Sequence, residues 1–278
     1  MRVVFVVLNN YNNQKCIKEN IENLKRFNNN DIVVLTDRKN TCYFDDTIEV
    51  ITIESLIPEY EEYLTRVEKT FREGFSQLTK YRFKVLLEYL KKYDVEKMIH
   101  LENDVMVFKN LDELHFHDTN KVLITMDNPN RCIPGIMYIP SFKQLEACML
   151  HWNGNTDMDC WANSFKNNKS KEIIDNLPIM KENSTIKTNH FELLTNNSSH
   201  YEGIFDAAAI GQYLGGIDPR NGKVKHFVNE SCCVNYSKYI FIWKVNSSGF
   251  KCPYIIINDL EIPIYNLHVH SKNIKQFM

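Results

Sequence analysis

The run Arg2-Val-Val-Phe-Val-Val-Leu8 is the first constraint on what this chain can fold into. It is apolar without alternation, so both faces of the strand it forms must be covered, as in the middle of a parallel sheet with helices on either side. The run closes at Asn9-Asn10-Tyr11-Asn12-Asn13, a loop composition at the strand's carboxyl end. A helical pattern from about Gln14 to Phe27, a strand Asp31-Ile-Val-Val-Leu-Thr-Asp37 and a third apolar run from Ile48 to Ile53 complete a β-α-β-β opening of Rossmann-like kind. Open α/β sheets take their ligands at the carboxyl ends of such strands.

Further along, Phe75, Leu78, Val85, Leu86, Tyr89, Leu90 and Tyr93 recur at helical spacing, which predicts one amphipathic helix over Gly74 to Tyr93. Strands are expected at Val122 to Met126 and Gly135 to Ile139, and a helix over Phe205 to Leu214 with Asp206 at its N-terminus and Gly215-Gly216 as its stop. The tail alternates through Tyr254 to Ile257 and Pro263 to His270. Asn153 to Ser199 is polar and weakly periodic, which predicts loops and short helices able to cover a site. With 278 residues, no internal repeat and no low-complexity linker, one α/β domain is expected.

Charge and cysteine usage exclude several classes. The formal net charge is -2 and Lys and Arg are scattered, so the electrostatic footprint of a nucleic-acid binder is missing and a small ligand is expected. The 8 cysteines lack the paired spacing of a zinc site and the density of a disulfide scaffold, and read as reduced thiols. No apolar run reaches membrane-spanning length or forms a signal-peptide core, so a soluble, cytoplasmic protein is expected.

The sharpest chemical feature is Glu102-Asn103-Asp104, set between the apolar segments Met98-Ile-His-Leu101 and Val105-Met-Val-Phe108. Two carboxylates in such surroundings carry an ionisation cost unless a positive charge compensates it. A divalent cation does so, and Mg2+ or Mn2+ favours hard oxygen ligands of this kind. An isolated triplet of this type is more often a solvated turn; its position after a buried strand, in a nucleotide-type α/β opening, gives it weight.

Several segments resemble the GT-A glycosyltransferases, especially the glycogenin and bacterial galactosyltransferase type. Thr79-Lys-Tyr-Arg-Phe83 followed by Met98 to Val107 is similar to that family's tyrosine-arginine-leucine helix and acidic metal motif. Cys132-Ile-Pro-Gly-Ile-Met-Tyr-Ile139 resembles its Asn-Ser-Gly strand, with Ile133-Pro134 in place of Asn-Ser. Asp206-Ala-Ala-Ala-Ile-Gly-Gln212 resembles its Asp-Gln-Asp helix start with only the first Asp retained, and His268-Val-His-Ser-Lys272 its late His and Lys. A narrower resemblance is to the GT-A transferases of large DNA viruses of algae and amoebae, which would place the protein in a host cytoplasm.

The resemblance implies a GT-A fold, a Rossmann-like mixed central sheet flanked by helices, with a nucleotide-sugar-binding half over about residues 1–110 and an acceptor half over about 111–278. It implies a metal-assisted transfer of a sugar, from a nucleotide-sugar donor carrying UDP, onto a glycan or other hydroxyl acceptor. Glu102 and Asp104 would hold Mn2+ or Mg2+, and His268 or His270 would complete the shell; their spacing puts both on one face of a strand and does not choose between them. Tyr11, Asp37, Arg82, Asn103 and Lys272 are the implied donor contacts, with Lys272 on the diphosphate. Asp206 is the implied group acting on the sugar or the acceptor hydroxyl, with an N-cap as its equal alternative, and Asp127 is the reserve. Inverting and retaining outcomes both remain open. Two rivals stand beside this reading. A sugar-phosphate nucleotidyltransferase needs a glycine-rich basic loop after the first strand, and Asn9-Asn10-Tyr11-Asn12 has no glycine, Lys or Arg. A non-catalytic nucleotide-sugar-binding module is opposed only by the coexistence of all these groups.

Overall fold

A computed structural model describes residues 1–278 apart from 10–13, 70, 71, 73, 151, 168–172, 187 and 223. Strand β1 (Arg2–Val7) leads through α1 (Cys16–Phe27) to β2 (Asp31–Thr36), and a short 3-10 turn precedes β3 (Glu49–Thr52). Then follow α2 (Ile53–Leu56), α3 (Tyr60–Arg66), α4 (Phe75–Tyr93), β4 (Met98–Leu101) and β5 (Val105–Val107). The hairpin β6 (Val122–Asn128) and β7 (Arg131–Ile139) comes next, then α5 (Phe142–Met149), α6 (Asp157–Lys166), β8 (Ile174–Asn176), α7 (Phe191–Thr195) and α8 (Ile210–Gly215). The chain ends with β9 (Ile240–Val245), β10 (Lys251–Ile257), β11 (Leu260–Pro263) and β12 (Asn266–His268).

The central sheet has the order β3-β2-β1-β4-β7-β6-β8. It is mixed: β1 is parallel to β2 and β4, β2 to β3, and β6 to β8, while β7 runs antiparallel to β4 and β6. The unbroken apolar run of β1 is explained by its two faces. Val3, Phe5 and Val7 pack with Ile17, Ile21 and Leu24 of α1. Val4 and Val6 join Phe83, Leu86 and Leu90 of α4 on the other side. The expected α/β class, with a largely parallel central sheet between helices, is what the chain adopts.

Two small sheets complete the fold. β9, β10 and β11 form an antiparallel trio, and β12 pairs with β5 so that His268 stands opposite Val105 and Asn266 opposite Val107. All eight cysteines are free thiols. Among the described residues no helix is long and apolar enough to cross a membrane.

Two local expectations need correction. The helix read over Phe205 to Leu214 spans only Ile210–Gly215. The chain before it is pinned by tertiary contacts, Phe205 donating to the Pro178 carbonyl at 2.9 Å and Ile204 bridging to Ile264, and Ala208 takes a positive φ of 54°, so tertiary pairing overrides the helix propensity of Ala207-Ala208-Ala209. The segment Asn153 to Ser199 is not only loop and short helix: β8 closes the edge of the central sheet, and Leu177, Ile179 and Met180 are buried behind it. A strand of three residues carrying Asp175 and Asn176 leaves too little periodicity to be seen.

Candidate active site

The acidic tripeptide is the turn that leaves β4. Around β1 the sheet runs off to β2 on one side and β4 on the other, the switch point at which open α/β sheets form a crevice. Glu102 donates its backbone N–H to the Gly135 carbonyl at 2.8 Å, which ties the turn to β7. The last strand then brings in the C-terminal segment, and Val269 donates to the Asp104 carbonyl at 2.7 Å. His268 Nε2 lies 3.1 Å from Glu102 Oε2 and 3.3 Å from Asp104 Oδ1. Lys272 Nζ lies 2.8 Å from Asp104 Oδ2.

Two glycines permit this approach. A Cβ on Gly135 would meet His268 Nδ1 at 2.9 Å and Val105 Cγ2 at 3.1 Å. One on Gly211 would meet the His268 carbonyl oxygen at 2.2 Å, closer than any side chain tolerates. Gly135 falls in the segment that resembles the family's Asn-Ser-Gly strand.

Charge in the site is balanced by contact. Burial pushes Glu102 up, but Arg82 and His268 outweigh it and hold the carboxyl below its usual range. Burial likewise opposes ionisation of Asp104, and Lys272 and His268 overcome it. The two carboxylates in turn overcome burial at His268 and pull it up to about 10. His270, partly buried and beside the His268 cation, is pushed down by desolvation and by that cation to about 4.

Arg82 ties the triad to the other wall of the site. Its Nη1 pairs with Glu102 Oε1, and its Nη2 donates to Asp157 Oδ2 at 2.6 Å. Asp157 opens α6, whose N-terminus is fixed by a reciprocal Thr156–Asp159 capping box. It is a carboxylate that the sequence reading passed over, although Thr156-x-x-Asp159 was a legible helix start. Glu102, Asp104, Arg82, Asp157, His268 and Lys272 share one cleft of about 410 Å3.

The other sequence candidates lie as follows. Tyr11 falls outside the described residues. Asp37 is buried, accepts the Tyr60 hydroxyl at 2.6 Å and faces Lys39 at 3.4 Å, and it is not in the cleft wall. Asn103 is in the wall, but its amide is donated to the Val6 carbonyl at 3.2 Å and to Gln14 Oε1. Asp127 is buried behind Arg131, which accounts for its absence from the wall; burial pushes it up to about 6 against the pull of that arginine. His270 lines the cleft but turns Nδ1 to Gln212 Nε2 at 2.6 Å, so it is His268 that stands between the acids.

Asp206 is the clearest departure. It is 2% exposed and outside the cleft wall. Its Oδ1 accepts from Ala209 and Ile210, both at 2.8 Å, and its Oδ2 from Gly211 at 2.7 Å and His268 at 2.9 Å, all backbone N–H groups. Of the two roles read for it, the geometry gives the helix cap, extended to the backbone of His268. Asp157, by contrast, is in the cleft wall with Glu102 and Asp104.

The residues present suit a divalent cation. One ligand atom each from Glu102, Asp104 and His268 lies within 4.8 Å of the others. Two carboxylate oxygens and one imidazole form a borderline-hard donor set, and the cations now facing the carboxylates mark where positive charge belongs.

No protein-family model matches the sequence, and no curated protein matches it. Among solved structures, the chain is similar to mouse xyloside xylosyltransferase 1 in its apo form, at 9% identity over 64% of this chain and 84% of that one, with a TM-score of 0.42. It is similar to an active-site mutant of LgtC, at 17% identity over 70% of this chain and 83% of that one, TM-score 0.45. It is also similar to the galactosyltransferase LgtC in complex with donor and acceptor sugar analogues, with the same identity of 17% and a TM-score of 0.44, over 70% and 83% of the two chains. Likenesses this weak leave the reading of the site to the chain's own geometry.

Proposed function

We propose that this chain is a GT-A glycosyltransferase, one domain, that moves a sugar from a UDP-sugar to a hydroxyl of a glycan acceptor with the help of Mn2+ or Mg2+. The observation that carries the reading is the convergence of Glu102, Asp104 and His268 with Lys272 and the Arg82–Asp157 pair in one cleft at the sheet's switch point. A binding module needs a complementary cleft; it has no need for two acids, an imidazole and fixed cations around a single point.

Glu102, Asp104 and His268 would hold the cation, which supplies charge to the departing diphosphate. Lys272, reached from the C-terminal segment, adds a second positive charge beside it. Arg82 keeps Glu102 ionised and oriented from behind while holding Asp157 in the opposite wall. Asp157 then accepts a hydrogen bond from a hydroxyl in the cleft, the part that the sequence reading gave to Asp206.

Calorimetric titration of the full chain with UDP, GDP and CDP, each with Mn2+ and with a chelator, followed by assay of donor hydrolysis, tests this. Mn2+-dependent binding of one nucleotide with slow release of its sugar supports a transferase. Binding without turnover on any donor points to a binding module, and no binding at all overturns the reading.

A further inference from the structure

Among the described residues, β5 has a strand partner on one edge only, β12, with which it forms a two-stranded sheet. Its other edge faces α1. There Cys16, Asn20 and Asn23, at i, i+4 and i+7, form one polar stripe on a helix whose neighbouring Ile17, Ile21 and Leu24 are core. Asn20 Nδ2 donates to the Val105 carbonyl at 2.9 Å and to the Asn103 carbonyl at 3.2 Å, and lies 3.5 Å from that of Glu102. Asn23 Nδ2 donates to the Val107 carbonyl at 2.8 Å. The Cys16 thiol lies 3.6 Å from the Asn103 carbonyl. Just past the helix, Asn28 accepts from the Leu111 N–H at 2.6 Å.

Side-chain amides thus stand where a strand would otherwise supply donors. Asn20 and Asn23 are each 1% exposed. Burying an amide inside a helix costs free energy unless its hydrogen bonds repay it. Asn20 keeps its Oδ1 without a partner while its Nδ2 serves carbonyls of the acidic turn and of the first residue of β5, so the site needs its donor end. α1 also reaches the C-terminal segment, where Lys275 faces Glu19 at 3.6 Å.

We infer that Asn20, seconded by Asn23, is a positioning residue for the reaction: its amide clamps the backbone of Glu102, Asn103 and Val105 and so fixes where the Glu102 and Asp104 carboxylates point. The metal-binding part of the inference rests on the proposed function; the clamp itself does not. Outer partners that orient metal ligands are worth roughly 10–100-fold in metal affinity.

The test compares Asn20→Leu with Asn28→Leu in the full chain, by titration with Mn2+ alone, by amide hydrogen exchange and by thermal melting. Asn28 makes the same kind of buried amide-to-backbone bonds at the C-terminal end of α1, away from the acids. The expected result is Mn2+ binding weaker by about tenfold in Asn20→Leu, with faster exchange confined to residues 102–105. Asn28→Leu lowers the melting temperature and leaves Mn2+ affinity unchanged. Equal effects of the two variants on Mn2+ affinity, or wild-type exchange at residues 102–105 in Asn20→Leu, overturn the clamp. If the wild-type chain takes up no Mn2+, the metal reading fails, and the exchange data alone decide whether Asn20 fixes the turn. Should Asn20→Leu fail to fold, Asn20→Ala, which adds no bulk, carries the same comparison.

Discussion

Lys272 Nζ sits 2.8 Å from Asp104 Oδ2 although 168 residues separate the two. The ammonium is the largest influence holding Asp104 ionised against its burial, and the carboxylate in turn raises Lys272 above its ordinary value. Lysine therefore occupies one oxygen of a residue that a metal would share.

Competition of that kind gives opposite signs for two ligands. Lys272→Ala is expected to bind Mn2+ alone at least as tightly as the natural chain, since a rival cation is gone. It should bind UDP in the presence of Mn2+ roughly 10- to 150-fold more weakly, a charge-assisted bond being worth roughly 1.5–3 kcal/mol. Isothermal titration with each ligand reads both signs, and weaker Mn2+ binding together with unchanged UDP binding would reject the arrangement.

Asp157 and Asp206 separate in the same way. Asp157→Asn removes one of the two carboxylate charges facing Arg82 but leaves Glu102 and the hydrogen-bonding shape in place, and it should lower turnover by about 100-fold while the melting temperature moves little. Asp206→Asn exchanges an acceptor-only group for one that donates on one side, facing backbone N–H groups of Gly211 and His268 or of Ala209 and Ile210. That change should destabilise the fold on the order of 2–3 kcal/mol. Thermal melts and donor turnover on both variants decide it; a stable, inactive Asp206→Asn would return the catalytic role to Asp206.

The raised His268 sets a pH dependence for the metal. Without metal the imidazole holds its proton up to about 10, and a cation binding at its nitrogen must displace that proton. Affinity for Mn2+ should therefore rise with pH, by up to roughly tenfold per unit between about pH 6 and about pH 8, with proton release on binding. In the metal-free chain the sign is the reverse. Because the folded value lies above the ordinary value of 6.5, His268 contributes stability that is full below that pH and is lost as pH rises through about 10. Mn2+ titrations in two buffers of different protonation enthalpy count the proton; a flat pH profile would contradict the placement of His268.

Gly135→Ala tests the packing behind His268 in the proposed metal site. The added Cβ, at 2.9 Å from His268 Nδ1 and 3.1 Å from Val105 Cγ2, must push the imidazole toward the carboxylates or away from them. Overpacking costs roughly 1–3 kcal/mol, and Mn2+ affinity should fall with it. A variant that melts lower yet binds Mn2+ normally would show that the ring relaxes without leaving its place.

Much of this architecture was legible in the chain itself, because it rests on interactions near in sequence. The apolar run of β1 announced burial on both faces, the helical spacing of Phe75 to Tyr93 gave α4 nearly to the residue, and Glu102-Asn103-Asp104 marked the point on the sheet where charge collects. What the sequence left open was settled by pairings between distant segments. His268 rather than His270 faces the acids because β12 pairs His268 with Val105 and ends there, so that His270 lies beyond the paired strand; only a register shifted by two residues would exchange them. Asp157 rather than Asp206 enters the cleft because Arg82, 75 residues earlier, reaches the start of α6, whereas Asp206 is consumed by backbone donors around it. Local pattern reports which face of an element is apolar; only the folded chain determines which polar groups are left over, after the backbone has taken its share, to meet at one point.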